Sequence, residues 1–405
     1  MKLSGALSAR AQPSVAEVSG AQRPKAIVGP KNRPIRNAIT SLHRWFGLAA
    51  AGWLFGIALT GSIITFNHEI DALLNPDLFV ASSKGPVAPL LADAERRTGA
   101  GKINFLLYVH DAHGLVTMGI TRNDGQSAEL FYDSGNGRFN GERTTSSYGL
   151  GNRAFMRTAY RLHHTFLGGR ALEVFLGLLA LAWAITQVLA LAIAFTSRIR
   201  WRDSFRVRPF AGGHKRNFDL HRSLNLWLYP VTLMLAVTGI YLNLPEQFAA
   251  AVASVAPVEG RFEPSVAGGQ SAPQLTMADA ALRFDGIAAP YSVTSFSFND
   301  EADLYRARMR DARDISDNGQ RIVWLSGQTG TIVSDRHETE GSAGDKILVW
   351  QFPLHSGRAL GLAGRILIAF AGLVICFSIV TGLLIWFKKT QQRKRASHKT
   401  IYSQP

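Results

Sequence analysis

The chain has 405 residues, 47% of them hydrophobic and 18% charged, with a formal net charge of +15. Its single cysteine, Cys376, lies inside an apolar run, which excludes a disulfide framework, a thiolate metal site and cofactor attachment through paired cysteines. The basic excess points to nucleic acid only if it is spread over a folded face.

The first 40 residues are polar and contain no apolar core of a cleavable signal, so a disordered tail is expected there. Four runs then meet the length needed to cross a bilayer, about 20 mostly apolar residues: Trp45–Phe66, Val174–Phe195, Leu224–Leu244 and Ile366–Phe387. A buried helix of a soluble protein rarely runs so far without a charge. Two long segments separate the first run from the second and the third from the fourth. Each opens on a short helical stretch marked by Ala-Asp-Ala (Ala92–Ala94 and Ala278–Ala280). Strand-like runs follow, "INFLLYV", "LVTMGIT" and "AELFYD" in one, "YSVTSFSF", "DLYRARM" and "RIVWLS" in the other. Glycine turns, "DSGNGRF" and "LSGQTGTIV", close the two sets.

The predicted fold class is an α-helical membrane protein with four transmembrane helices arranged as two parallel repeats, carrying two extracytoplasmic α+β domains. In chain order this gives a tail (1–40), a first span (41–67), an α+β domain (68–154) and a second span with its outer approach (155–197). A basic loop (198–220), a third span (221–244) and a second α+β domain (245–350) follow. A fourth span with its outer approach (351–388) and a basic tail (389–405) complete it. Met1–Arg44, Ser197–Arg222 and Lys388–Pro405 together hold 22 of the 44 basic residues but three of the 29 acidic ones. The positive-inside rule therefore places both termini and the middle loop in the cytoplasm. The charge reports topology, the partner it implies is the lipid bilayer, and a nucleic-acid role loses its main support.

The spans repeat. "HRWFGLAAAGWLFGIALTG" begins at His43 and "HRSLNLWLYPVTLMLAVTG" at His221, each with 17 residues from histidine to threonine. Arg170 and Arg365, each ending a small-Gly-Arg triplet, precede Thr186 and Thr381 by 16. Leu-His occurs four times, at His43, His163, His221 and His355. The repeat makes His43 and His221 equivalent at the cytoplasmic face, and His163 and His355 equivalent at the outer face, about an axis along the membrane normal. Two neutral imidazoles converging from facing helices are the ligand set of a bis-histidine haem. Two such pairs imply two haem b, one near each surface. Ionisable residues at a membrane are functional candidates, although a single interfacial histidine could equally be a solvated one. His164 and His68 lack symmetric partners and stand as alternative ligands in an asymmetric site. His110 and His113 have a spacing that suits a surface metal or, more simply, a solvated hairpin. Guanidinium groups suit haem propionates. Arg44 and Arg222 are explained equally by the positive-inside rule, whereas Arg170, Arg358 and Arg365 lie on the other side. Trp53, Trp183 and Trp227 either pack against porphyrin or anchor the helices at the interface.

Over most of Leu42 to Phe387 the sequence resembles the PepSY-associated transmembrane proteins, through "SLHRWFGLAAAGWLFGIALTGSIITFNHEID", "LHHTFLGGR", "FDLHRSLNLWLYPVTLMLAVTGIYL" and "FPLHSGRALGLAGR". The resemblance implies a bacterial inner-membrane protein linked to iron uptake, of the kind that includes b-type haem reductases of ferric siderophores. It implies electrons carried outward to a periplasmic ferric-siderophore, with Fe(II) released. No dinucleotide fingerprint or flavin domain is present in the cytoplasmic parts, so the expected donor is another, unidentified cytoplasmic protein or a membrane quinol. The alternative is a non-enzymatic membrane protein whose PepSY-like outer domains bind a ligand or partner. Transport of the siderophore itself is disfavoured by four spans without a charged midplane site.

Overall fold

The computed structural model describes residues 33–99, 101–109, 114–195, 201–259, 264 and 274–402. Most of the expected disordered tail, and His110 and His113, lie outside the described residues. Helix α1 runs from Arg33 to Ile64, so helix begins eight residues before the predicted boundary at 41. A short α2 (Asn67–Leu74) leads outward to α3 (Ala88–Thr98), then strands β1 (Lys102–Tyr108), β2 (Leu115–Thr121), β3 (Ser127–Asp133) and β4 (Arg138–Thr144). The chain returns through α4 (Asn152–Thr165) and α5 (Arg170–Ala194). A 3-10 turn at Trp201–Phe205 precedes α6 (Gly213–Trp227), α7 (Tyr229–Asn243) and α8 (Pro245–Ala253). Helix α9 (Met277–Ala288) and strands β5 (Val293–Asn299), β6 (Leu304–Met309), β7 (Arg321–Ser326) and β8 (Ile332–His337) follow. The last elements are α10 (Ala343–Val349), α11 (Gln351–Ser356) and the long α12 (Gly361–Tyr402), which carries helix through most of the expected basic tail.

Among the described residues, three helical stretches are long and apolar enough to cross a membrane, Pro34–Ile64, Arg170–Ala194 and Arg358–Arg395. The expected continuous third span is broken. Helices α6 and α7 meet at an angle of 67° and make a fourth crossing only if the bent pair is one span. Pro230, in the first turn of α7, accounts for the break: it has no N–H to donate, and its ring would collide with the carbonyl four residues back in a continuing helix. The helices leave Phe55, Leu59, Leu178, Ile185, Phe370 and Leu373 exposed. Such an apolar girdle exceeds what a water-soluble surface carries and suits hydrocarbon. Inside the bundle, α1 packs on α12, α4 and α5, while α12 packs on α6, and α5 on α7. The α1–α12 crossing is close because a Cβ at Gly372 would lie within 2.2 Å of Ser62 Oγ. Ser62 donates across the gap to the Ala369 carbonyl at 2.9 Å, the small-residue and hydroxyl chemistry by which helices associate in lipid.

The outer segments depart from expectation in one respect. They do not form two separate bodies but one eight-stranded antiparallel sheet of order β4-β3-β2-β1-β5-β6-β7-β8. The halves join where β1 pairs with β5, with Leu106 opposite Phe296. Helices α3 and α9 pack on one another and on the same face of the sheet. Their Leu91, Ala94, Ala280 and Phe284 share a core with Leu106, Met118, Leu130, Phe296, Ala307 and Val323. Side chains alternate between faces along a strand, and the opposite face of β5–β8 contributes Ser295, Arg306, Arg308 and Trp324 to a cavity described below. Strands β4 and β8, read from sequence only as the far sides of glycine turns, are the sheet's edges. Strand β4 has no buried residue and β8 is mostly exposed, and both carry charged residues, which protects an unpaired edge from further strand addition.

Candidate functional site

The four Leu-His histidines fall on four different helices at two levels of the bundle. His43, on α1, and His221, on α6, meet at the end remote from the sheet, with ring centroids 6.3 Å apart and planes at 64°. His163, in the last turn of α4, and His355, on α11, meet at the sheet end, 6.1 Å apart and at 52°. Along α1 the 17 residues from His43 to Thr60, which lies beside His163, correspond to about 25 Å at the helical rise.

Local chain breaks present the sheet-proximal pair. Phe166 and Leu167 adopt positive φ (49° and 63°) directly after α4, so the predicted single segment 155–197 is two helices. Gly357, at φ 76°, ends α11 in the left-handed conformation that favours glycine. These turns lay α4 against α1 and α11 against α7, aiming each imidazole at a Thr-Gly step of the neighbouring helix.

The ring nitrogens are distinguished by their partners. His163 Nδ1 lies 2.9 Å from the Ile57 carbonyl and His221 Nδ1 lies 2.9 Å from the Ser378 carbonyl. A carbonyl oxygen only accepts, so each Nδ1 carries the proton and each neutral ring keeps its Nε2 lone pair for another partner. His355 Nδ1 is 2.8 Å from Thr238 Oγ1. This is the outer-partner arrangement that orients a ligating histidine.

The remaining candidates divide. His164 points away from its neighbour's partner and stacks on Tyr160 at 5.9 Å with planes 7° apart. His68 lines the outer cavity. Four of the five arginines pair with carboxylates of this chain. Arg365 is buried, donating to both oxygens of Glu69 (2.6 and 2.7 Å) and to the Thr65 carbonyl. Arg358 pairs with Asp317 at 2.7 Å, Arg170 with Glu173 at 3.2 Å and Arg222 with Asp219 at 3.3 Å. A guanidinium withdrawn from water needs such a partner, so Arg365 and Arg358 are already engaged in holding α12 and α11 to the outer layer. Arg44 touches Ser41 at 3.4 Å, and both Arg44 and Arg222 keep a buried Nε without a hydrogen-bond partner. Trp53 packs edge-on against Phe166 and Phe175. Trp227 is exposed, with its N–H donating to the Phe205 carbonyl, an interfacial placement.

A cavity of about 520 Å³ lies between the sheet and helices α7, α10 and α11, the last of which carries His355. Its walls include Tyr108, Arg308 and Trp324 from the sheet, and its other side includes Phe352, Pro353 and Arg358, which flank His355. Burial pushes the Tyr108 phenol far up, aided by the Asp285 carboxylate, so it remains a neutral donor. The sequence reading did not reach this site, because its residues come from strands, α7, α10 and α11 far apart in the chain.

A bundle of apolar helices with an imidazole pair at either end, capped by an antiparallel sheet, defines a membrane protein with an outer sheet layer. The family model described as the PepSY-associated TM region matches residues 40–389, and the chain belongs to that family, as the histidine and Thr-Gly motifs led us to expect. No curated protein matches the chain.

Proposed function

We propose that the protein is a haem-b-containing reductase of the bacterial inner membrane, with both termini cytoplasmic, which passes electrons outward to reduce a periplasmic ferric-siderophore. The observation that carries the reading is the pair of facing imidazoles at each level. Two metal–imidazole bonds of about 2.0 Å, plus about 1.1 Å from each nitrogen to its ring centre, put the ring centres about 6.2 Å apart. The separations of 6.3 and 6.1 Å match that requirement. The protonated Nδ1 atoms of His163 and His221 leave Nε2 as the ligating atom, and the buried Nε atoms of Arg44 and Arg222 suit the carboxylates of such a group.

Haem b held at the two levels would supply one-electron Fe(III)/Fe(II) chemistry. The chain's own part would be ligation by His43 with His221 and by His163 with His355, exclusion of water by the surrounding apolar helices, and a cavity walled by Arg306, Arg308 and Arg358 where an iron chelate can dock. Each ferric ion accepts one electron, and the donor is a cytoplasmic protein or membrane quinol. Dithionite-reduced protein is expected to be reoxidised by a ferric hydroxamate, with Fe(II) trapped by ferrozine. A reduced spectrum unchanged by the chelate would overturn the reading.

The seat of His163 gives a sharper test. A Cβ at Gly61 would lie 2.8 Å from His163 Cε1, closer than packed atoms tolerate. Gly61→Val is expected to push the imidazole off its Ile57 contact and to remove the sheet-proximal haem while sparing the other, read as a halved haem-to-protein ratio.

A further inference from the structure

Three of the four histidines share one seat. His163 lies against Thr60-Gly61, His355 against Thr238-Gly239 and His221 against Thr381-Gly382. A Cβ on these glycines would come within 2.8, 3.8 and 3.3 Å of the respective Cε1 atoms. Each Nδ1 has a partner in that seat, Ile57 O with Thr60 Oγ1, Thr238 Oγ1, and Ser378 O with Thr381 Oγ1.

The fourth threonine in the spacing is Thr186, and the residue after it is Gln187 rather than glycine. Gln187 is turned toward α7, accepting from Thr232 Oγ1 at 2.8 Å and donating to the Thr232 carbonyl at 3.3 Å. Thr186 donates to carbonyls of its own helix, Ala182 and Trp183. His43, the histidine this step should seat, has a buried Nδ1 with no hydrogen-bond partner among the described residues.

We propose that the His43–His221 level is a binding site for a small neutral diatomic ligand of reduced iron, with His43 the ligand that gives way, while the His163–His355 level stays closed. The inference rests on the bis-imidazole haem reading. An Nδ1–H bond to an acceptor orients the ring and raises its basicity, and losing such a partner typically weakens a metal site about 10–100-fold. His43 alone lacks that support. With haem bound there, the diatomic would take the place of the His43 imidazole while His221 stays bound, with no change in oxidation state. A gas of this kind would then block electron entry at the cytoplasmic end.

Carbon monoxide is the probe. Purified holoprotein is assayed for haem content, reduced with dithionite and titrated with carbon monoxide. Half of the haem is expected to shift its Soret band and the other half to remain unmoved. Gln187→Gly, which opens a fourth seat, is expected to weaken carbon monoxide binding about tenfold. Thr232→Val breaks the Gln187 contact without making room and is expected to leave binding unchanged. Two haems with no carbon monoxide response, an equal response from both, or equal effects of the two substitutions would overturn the inference. A folded preparation without haem would instead overturn the reading on which it rests.

Discussion

Substituting His355 with alanine is expected to lower the haem content from about two per chain to about one and to abolish reoxidation of the reduced protein by ferric chelate. The remaining sheet-distal level should still be reduced by dithionite. His355 faces His163 at 6.1 Å. His164, adjacent in sequence, is held parallel to Tyr160, and shifting by one residue on a helix turns a side chain by about 100°. His163→Ala should therefore behave as His355→Ala does, whereas His164→Ala should retain both haems and its reoxidation rate. Quantitative haemochrome spectra with stopped-flow reoxidation check all three. A normal haem content in His163→Ala together with loss in His164→Ala would move the ligand to the neighbouring residue.

The second large effect concerns the joint between helices and sheet. Arg143 on β4 donates from Nη1 to both oxygens of Asp71 on α2, at 2.9 and 2.8 Å, and from Nε to Glu129 on β3 at 2.6 Å. The side chains of Arg143 and Asp71 are each 9% exposed. Because α2 follows α1 directly, this cluster ties the first span to the edge of the sheet. Arg143→Met would leave the Asp71 carboxylate buried with only Asn75 beside it. Removing one partner of a buried ion pair costs about 3–5 kcal/mol. Hydrogen exchange at neutral pH should show α2 and β4 losing protection while β6 and β7 keep theirs. Adding Asp71→Leu should restore part of the loss, since replacing both partners removes the uncompensated charge. Unchanged exchange in the single variant would show that the joint is held elsewhere.

Much of this architecture is legible in the sequence because lipid imposes a coarse rule. The apolar runs of α1, α5 and α12 stand out on length alone, and six of the eight strands follow from alternation. The histidine positions are legible for a different reason: the equal spacing from His43 to Thr60 and from His221 to Thr238 marks them as counterparts before any fold is known. What stays hidden depends on pairing at a distance. The joining of β1 to β5 involves no turn and leaves no local pattern. Glu69 lies 296 residues from Arg365, so the structural engagement of that guanidinium could not be read from its own segment. Strands β4 and β8 hide because edges carry charge. The bend at Leu228 did have a signal, Pro230, but average hydropathy passes over a single residue that hydrogen bonding does not.

On the proposed function each imidazole pair holds one haem. The most direct measurement is the haem-to-protein ratio and the oxidised and dithionite-reduced spectra of detergent-purified protein produced with ample haem. About two b-type haems per chain are expected. A folded, monodisperse preparation that binds no haem would contradict that expectation and leave the outer cavity as the remaining guide to function.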